Sequence, residues 1–154
     1  MSLFGDILRL LSVASLGLFV GAMLTEGFVL VPYWRSLAPA DFFAWYAVND
    51  RRLLGFFGPL TTVTAAVAVA AALVTLLEGH PGRWPAVVAA VLSVVVVSTF
   101  FLYFERANAS FAAASIAAGD VSGELARWAA WHWLRTGISV AAFAAALWSL
   151  GRHG

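Results

Sequence analysis

Apolar stretches of about 20 residues or more alternate with short polar segments along this chain. The stretches cover roughly residues 8–31, 54–77, 84–104 and 125–150. A helix of about 20 mainly apolar residues is long enough to cross the hydrocarbon core of a bilayer. The pattern therefore predicts an all-α integral membrane protein in which residues 1–154 form a single transmembrane domain. We expect an up-down-up-down four-helix bundle in a bacterial inner membrane.

Residues 40–52 connect the first two predicted spans. They follow Pro39, a residue favoured in the first turn of a helix, and contain four aromatic side chains. The segment is too apolar for a solvated loop and too short to cross a membrane. We expect a short interfacial helix that caps the bundle between helices 1 and 2. Pro32 is expected to end the first span.

The first apolar stretch has one feature of a signal peptide, because Arg9 precedes the apolar run. However, the run is long, contains Glu26 and continues into Tyr33 and Arg35 instead of a small-residue cleavage site. We therefore expect it to be retained as the first span.

The composition excludes several kinds of chemistry. The chain contains no Cys and no Lys, which excludes disulfides, thiolate metal sites and Schiff-base catalysis. Its net charge is +1, and its Arg residues form no dense basic cluster, so nucleic acid is not an expected partner. With 62% hydrophobic residues, the chain is instead expected to contact membrane lipid and a lipophilic small molecule.

Polar residues of the predicted spans gather at one side of the membrane. Four crossings place Glu78, His80, Arg83 and both chain ends at one side, here called the terminal end. The other side, here called the polar end, collects Glu26, Tyr33, Arg35, Asn49, Arg51, Arg52, Tyr103, Glu105, Arg106, Asn108, His132 and Arg135. A count of positive residues favours a cytoplasmic polar end.

Within the polar end, three predicted helices carry ionisable residues at a similar depth. Glu26 lies inside the first span, where an unpaired carboxylate costs about 2.5–3.5 kcal/mol. Helical spacing places Glu105 and Asn108 on one stripe with Ser98 and Phe101, and it places His132 and Arg135 on one stripe with Trp128 and Ser139. We expect these groups to converge on one enclosed cavity.

Two other interpretations apply to the same residues. Arg135 could pair with Glu26 or Glu105 to hold helices together, while His132 is a hydrogen-bonded core residue. A metal ion could bind Glu26, Glu105 and His132, or a haem could bind His132 and Met23. Sites with several His ligands are not expected there, because the remaining histidines, His80 and His153, belong to the terminal end.

Four segments resemble the anthrone oxygenase-like family of small four-helix membrane proteins. They are VPYWR at 31–35, NDRR at 49–52, YFERAN at 103–108 and RWAAWHWLRT at 127–136. The resemblance implies the same fold, and the characterised branch of the family oxidises anthrones to anthraquinones with molecular oxygen and no recognised cofactor. Glu26 departs from the mostly apolar first helix expected of that branch.

The residues and the resemblance together predict a membrane-embedded oxidoreductase that needs no cofactor. Its substrate would be a lipophilic aromatic or quinol-like molecule. His132 would deprotonate the substrate, with Glu26 or Glu105 orienting the imidazole. Arg135 and Asn108 would stabilise the developing oxyanion. The expected substrate-binding residues are Trp45, Asn49, Tyr103 and Trp128.

The alternative is a non-enzymatic membrane protein, either a small carrier or a partner subunit. The two functions predict different structures around His132. An oxidoreductase needs a cavity beside the imidazole. In a non-enzymatic protein, the polar groups would close into salt bridges without such a space.

Overall fold

The computed structural model describes residues 2–152, so His153 lies outside the described residues. Four long helices account for most of this range, and each is long and apolar enough to cross a membrane. They are α1 (Leu3–Ser36), α2 (Pro39–Leu77), α3 (Arg83–Ala112) and α4 (Ala118–Gly151). Each helix extends beyond its predicted span.

Helix α1 continues past Pro32 to Ser36, so the proline that we expected to end the span does not end the helix. The helix is α-helical over Leu3–Thr25, π-helical over Glu26–Leu30 and α-helical again over Val31–Ser36. A proline has no N–H to donate, and its ring crowds the preceding turn of an α-helix. The wider π-helical turn ends at Leu30, two residues before Pro32, and helix irregularities of this kind are one way a proline is accommodated.

The segment 40–52 is not a separate interfacial helix, because it forms the first part of the continuous helix α2. Pro39 lies in the first turn of α2, and Asp41 adds a favourable negative charge there. No glycine or proline interrupts residues 40–54. Phe42 and Tyr46 from this part are buried at the polar end, so the segment does cover that end of the molecule.

Contacts at the helix ends show how the helices are paired. At the terminal end, Ser2 donates a hydrogen bond to Glu78, which joins the start of α1 to the end of α2. Ser149 Oγ donates to the Gly82 carbonyl at 2.9 Å, which joins the end of α4 to the start of α3. At the polar end, Trp128 Nε1 donates to Asn108 Oδ1 at 2.9 Å.

The interior differs between the two ends of the molecule. At the polar end it is an aromatic core, formed mainly by Trp34, Phe42, Tyr46, Phe104, Phe111 and Trp128. Towards the terminal end the interior consists of Leu16 and many alanines. Large apolar residues such as Leu77, Leu102 and Phe28 are exposed on the outside. Exposed apolar surface of this extent is typical of a protein that contacts lipid.

Candidate functional site

Glu26, His132 and Arg135 form a buried group between α1 and α4, here called the ionic cluster. Arg135 Nη2 lies 3.1 Å from Glu26 Oε2 and 3.1 Å from His132 Nδ1. Glu26 and His132 are 3% and 0% exposed, respectively. The predicted convergence of these three side chains is therefore present, although it involves two helices and not three.

Both ring nitrogens of His132 have partners. The Met23 carbonyl lies 2.9 Å from His132 Nε2 and can only accept, so Nε2 must carry a proton. Arg135 donates to Nδ1, which identifies Nδ1 as the acceptor of a neutral imidazole. Glu26 Oε2 lies 3.4 Å from Nδ1, and two acceptors make no hydrogen bond. The hydrogen bonds therefore run from Glu26 through Arg135 and His132 to the Met23 carbonyl.

The local structure of α1 brings it close enough to α4 for these contacts. Glu26 is the first residue of the π-helical turn, and Gly27 is the second. A Cβ atom on residue 27 would lie 2.9 Å from Trp133 Cζ2 and 3.1 Å from His132 Nε2. A larger residue would clash with both rings, so glycine is required for the close approach of the two helices.

Aromatic rings enclose the ionic cluster on the side of the aromatic core. The Trp128 ring stacks on the His132 ring with 5.2 Å between centroids and 8° between planes. The guanidinium carbon of Arg135 lies 3.8 Å from the centre of the Phe104 ring, a cation–π contact. Because these rings exclude water, the charges of Glu26 and Arg135 attract each other more strongly than they would in water.

Glu105 does not join the ionic cluster, and this prediction is wrong. Its side chain is exposed on the outer side of α3. The stripe of Ser98, Phe101, Glu105 and Asn108 assumed regular α-helical spacing, but α3 is π-helical over Phe100–Phe104, which shifts the register of the residues that follow, and α3 turns another face inward. That inward face carries Ala89, Ser93, Val96, Phe104, Ala107 and Phe111. Asn108 lies at its edge, half-buried, where it accepts the hydrogen bond from Trp128.

The predicted substrate-binding residues surround the aromatic core but do not line one cavity. Trp128 is part of the core, and the ring of Trp45 packs beside Trp34 with 5.6 Å between centroids. Asn49 Nδ2 donates to the Trp45 carbonyl at 2.8 Å within α2. Tyr103 stacks on Trp131, with 5.2 Å between centroids and 10° between planes.

The residues of the ionic cluster contact one another directly, and they do not line the open groove of about 1110 Å³ between the end of α3 and the start of α4. Tyr103, Glu105, Arg106, Glu124 and Arg127 are among the residues that line it. Arg127 is paired with Glu124 at 2.6 Å.

The two metal-binding arrangements considered for the polar end are not assembled. Glu105 is exposed and separate from Glu26 and His132, so the three expected ligands do not meet. Among the described residues, no group of three or more His, Cys, Asp or Glu side chains could hold a metal ion. For the haem alternative, His132 Nε2 is bonded to the Met23 carbonyl and is not directed at open space.

A second charged group, not predicted from the sequence, lies at the terminal end. Arg9 is 3% exposed and pairs with Asp6 one turn earlier. Its Nη1 atom also lies 3.7 Å from Glu78 Oε2. We call Asp6, Arg9 and Glu78 the terminal charged group. A sequence signal exists, because Arg9 interrupts an apolar run, but its partner on α2 is distant in sequence.

Hydrogen bonds from Ser2 affect Glu78 at this end. They hold the pKa of the Glu78 carboxyl below its ordinary value of 4.5, and the nearby Arg9 guanidinium acts in the same direction. His80 is also buried at the terminal end, where its Nδ1 accepts a hydrogen bond from the Gly82 N–H at 2.9 Å.

Comparison with known proteins gives no match at the level of a family model, a curated protein or a solved structure. The resemblance to the anthrone oxygenase-like family therefore stays a prediction that depends on the four quoted segments.

Proposed function

We propose that this chain is an integral membrane protein of a bacterial inner membrane, with an up-down-up-down topology. Four helices of sufficient length and hydropathy support the proposal, as do the many large apolar side chains on their outer surfaces. At the terminal end, contacts join the start of α1 to the end of α2 and the start of α3 to the end of α4. Antiparallel neighbours make contacts of this kind.

Within that membrane, we propose a non-enzymatic role as a small carrier or a partner subunit. The observation that supports this choice is that both ring nitrogens of His132 are already hydrogen-bonded. Its Nε2–H is used by the Met23 carbonyl, and its Nδ1 lone pair is used by Arg135. A general base must present a free lone pair to the proton that it removes, and His132 presents none. The ionic cluster instead links α1 to α4.

Replacing His132 by Ala separates the two functions. In the non-enzymatic protein, the variant loses the link to Met23 and leaves a space between Trp128 and Gly27. We expect its unfolding temperature in detergent to fall clearly below that of the wild type. In the predicted oxidoreductase, the same variant would lose turnover and keep its stability. A His132→Ala protein as stable as the wild type would contradict the proposal.

One observation favours the oxidoreductase as a second candidate. Arg135 Nε and Trp34 Nε1 are buried donors that have no acceptor among the described residues. Both side chains lie next to Trp128, with 5.5 Å from the Arg135 guanidinium carbon to the Trp128 ring centre and 5.3 Å between the two indole centroids. Two such donors suit the oxygen atom of an aromatic ketone or phenol.

The test is conversion of anthrone to anthraquinone by the purified protein in aerated buffer, followed by the absorbance of the quinone. One oxygen molecule is consumed, and one water molecule is formed. Turnover that is lost in Arg135→Met but kept in the exposed control Glu105→Gln would support this candidate. If anthrone is oxidised no faster with the protein than in detergent alone, this candidate is contradicted.

A further inference from the structure

Two small interior cavities lie between the ionic cluster and the terminal charged group. The terminal cavity is lined by the polar side chains of Arg9, Ser12 and Ser149. The middle cavity is lined by four hydroxyl groups, from Thr61, Thr64, Ser93 and Ser139. Each cavity has a volume of about 10 Å³, close to the room that a single water molecule needs.

The chemistry of both cavities suits water. Ser93 and Ser139 donate their protons to backbone carbonyls of their own helices, at 2.8 and 2.7 Å. Their oxygen lone pairs can therefore accept from a water molecule. In the terminal cavity, Arg9 Nη1 is a buried donor without an acceptor among the described residues. The ion pair of Arg9 Nη1 with Glu78 Oε2, at 3.7 Å, is too long for a hydrogen bond, so a bound water can accept from this nitrogen.

The two cavities are neighbours along the bundle. Their linings are offset by one helical turn, about 5.4 Å, on three of the helices. The pairs are Ser12 and Leu16 on α1, Ala89 and Ser93 on α3, and Ala146 and Ala142 on α4. A thin apolar layer separates the cavities, and Leu16 is its largest side chain.

Along α4, the middle cavity lies one to two turns from the ionic cluster. Ser139 lines the cavity, and Thr136 lies one turn before it on α4. Thr136 Oγ1 lies 3.5 Å from His132 Nε2. Polar groups therefore recur from Arg9 to Glu26, with the apolar layer at Leu16 between them, over about 25 Å for 17 residues at 1.5 Å per residue. This length approaches the thickness of a bilayer core, about 30 Å.

We propose that this interior line conducts protons across the membrane, from one charged group to the other. The inference rests on the proposed non-enzymatic function and selects a carrier over a partner subunit. Proton transfer needs hydroxyl groups and waters that accept one proton while releasing another, and chains of ionisable and hydroxyl side chains serve as such relays in membranes. One proton enters at one face, and one proton leaves at the other. Movement of Leu16 joins the two cavities.

The experiment uses the whole protein in liposomes loaded with potassium and a pH-sensitive dye. Valinomycin lets potassium leave, so each proton that enters is balanced by one potassium ion. We expect wild-type vesicles to acidify faster than protein-free vesicles. Leu16→Ala should accelerate the acidification, because it removes the largest side chain between the cavities. Leu18→Ala is the matched control, since Leu18 is 65% exposed on the same helix.

Isosteric variants test the hydroxyl groups themselves. Thr64→Val and Thr136→Val keep the shape and remove one hydroxyl each, so we expect the proton flux to fall about tenfold. Thr62→Val is the control, because Thr62 is exposed and only two residues from Thr64. Wild-type flux no faster than in protein-free vesicles would overturn the inference. Equal losses in Thr62→Val and Thr64→Val would also overturn it. Neither outcome affects the stability result expected for His132→Ala, so the two proposals can fail separately.

Discussion

The polar end and the terminal end each contain an arginine paired with a carboxylate, but the two pairs lie in very different surroundings. At the polar end, the side chain of Glu26 is 4% exposed, and Arg135 lies against aromatic rings. At the terminal end, Arg9 is buried, but the side chains of Asp6 and Glu78 are 45% and 18% exposed. Because water solvates the carboxylates at only one end, similar ion pairs differ in what they contribute to stability.

The comparison teaches that the cost of breaking an ion pair depends on what remains behind. A buried pair that loses one partner leaves an uncompensated charge in an apolar environment, whereas an exposed partner is solvated by water. The ionic cluster should therefore be far more sensitive to substitution than the terminal charged group, although both contain an arginine and a carboxylate.

The largest effect is expected for Glu26→Gln. The substitution leaves the Arg135 guanidinium buried without a counter-charge, which typically costs about 3–5 kcal/mol of the free energy of unfolding. Unfolding of the purified protein in detergent measures this loss. Glu105→Gln is the matched control, because Glu105 is an exposed carboxylate at the same end. Equal and small losses in the two variants would show that the buried carboxylate contributes no more to stability than an exposed one.

A smaller loss is expected for Gly27→Ala, which tests the close approach of α1 and α4. The added methyl group would lie 2.9 Å from Trp133 Cζ2, so the helices must separate at the ionic cluster. Overpacking of this kind typically costs about 1–3 kcal/mol. Gly21→Ala is the control, since a Cβ atom there meets nothing within 4 Å. That variant should gain up to about 1 kcal/mol in helix stability, and a similar gain in Gly27→Ala would contradict the contact.

The smallest effect is expected at the terminal end, for Glu78→Gln, and it depends on pH. The pKa of Glu78 is lower in the folded protein than its ordinary value of 4.5, so the ionised carboxylate stabilises the fold. This contribution is complete above pH 4.5 and disappears as the pH falls through the lower folded-state pKa. Unfolding temperatures of the wild type and the variant should therefore differ at neutral pH and converge in acid.

Ser2→Ala sharpens this last prediction. It removes the hydroxyl that donates to Glu78, so the wild-type advantage over Glu78→Gln should shrink at neutral pH when Ser2 is already replaced. A difference between the wild type and Glu78→Gln that stays constant from neutral to acidic pH would show that the carboxylate charge is not involved.

Much of the site on α4 was predictable, because helical spacing is a local property. Trp128, His132 and Ser139 were expected on one stripe, and all three are buried. Glu26 was expected to find a partner because of its depth in an apolar run, and Arg135 is that partner. For α3 the same spacing failed, because the π-helical turn at Phe100–Phe104 shifts the register within the predicted stripe. Periodicity shows which residues share a face, but the packing of neighbouring helices decides which face turns inward.

The sequence by itself determined the four apolar helices and the need to pair Glu26, because helix length and the cost of a buried charge depend on the residues alone. Only the tertiary structure decided that Glu105 faces outward and that Arg9 meets Glu78. It also decided that both ring nitrogens of His132 are hydrogen-bonded, one to the Met23 carbonyl and the other to Arg135. These features depend on which helices become neighbours, and contacts between distant parts of the chain leave no local pattern in the sequence.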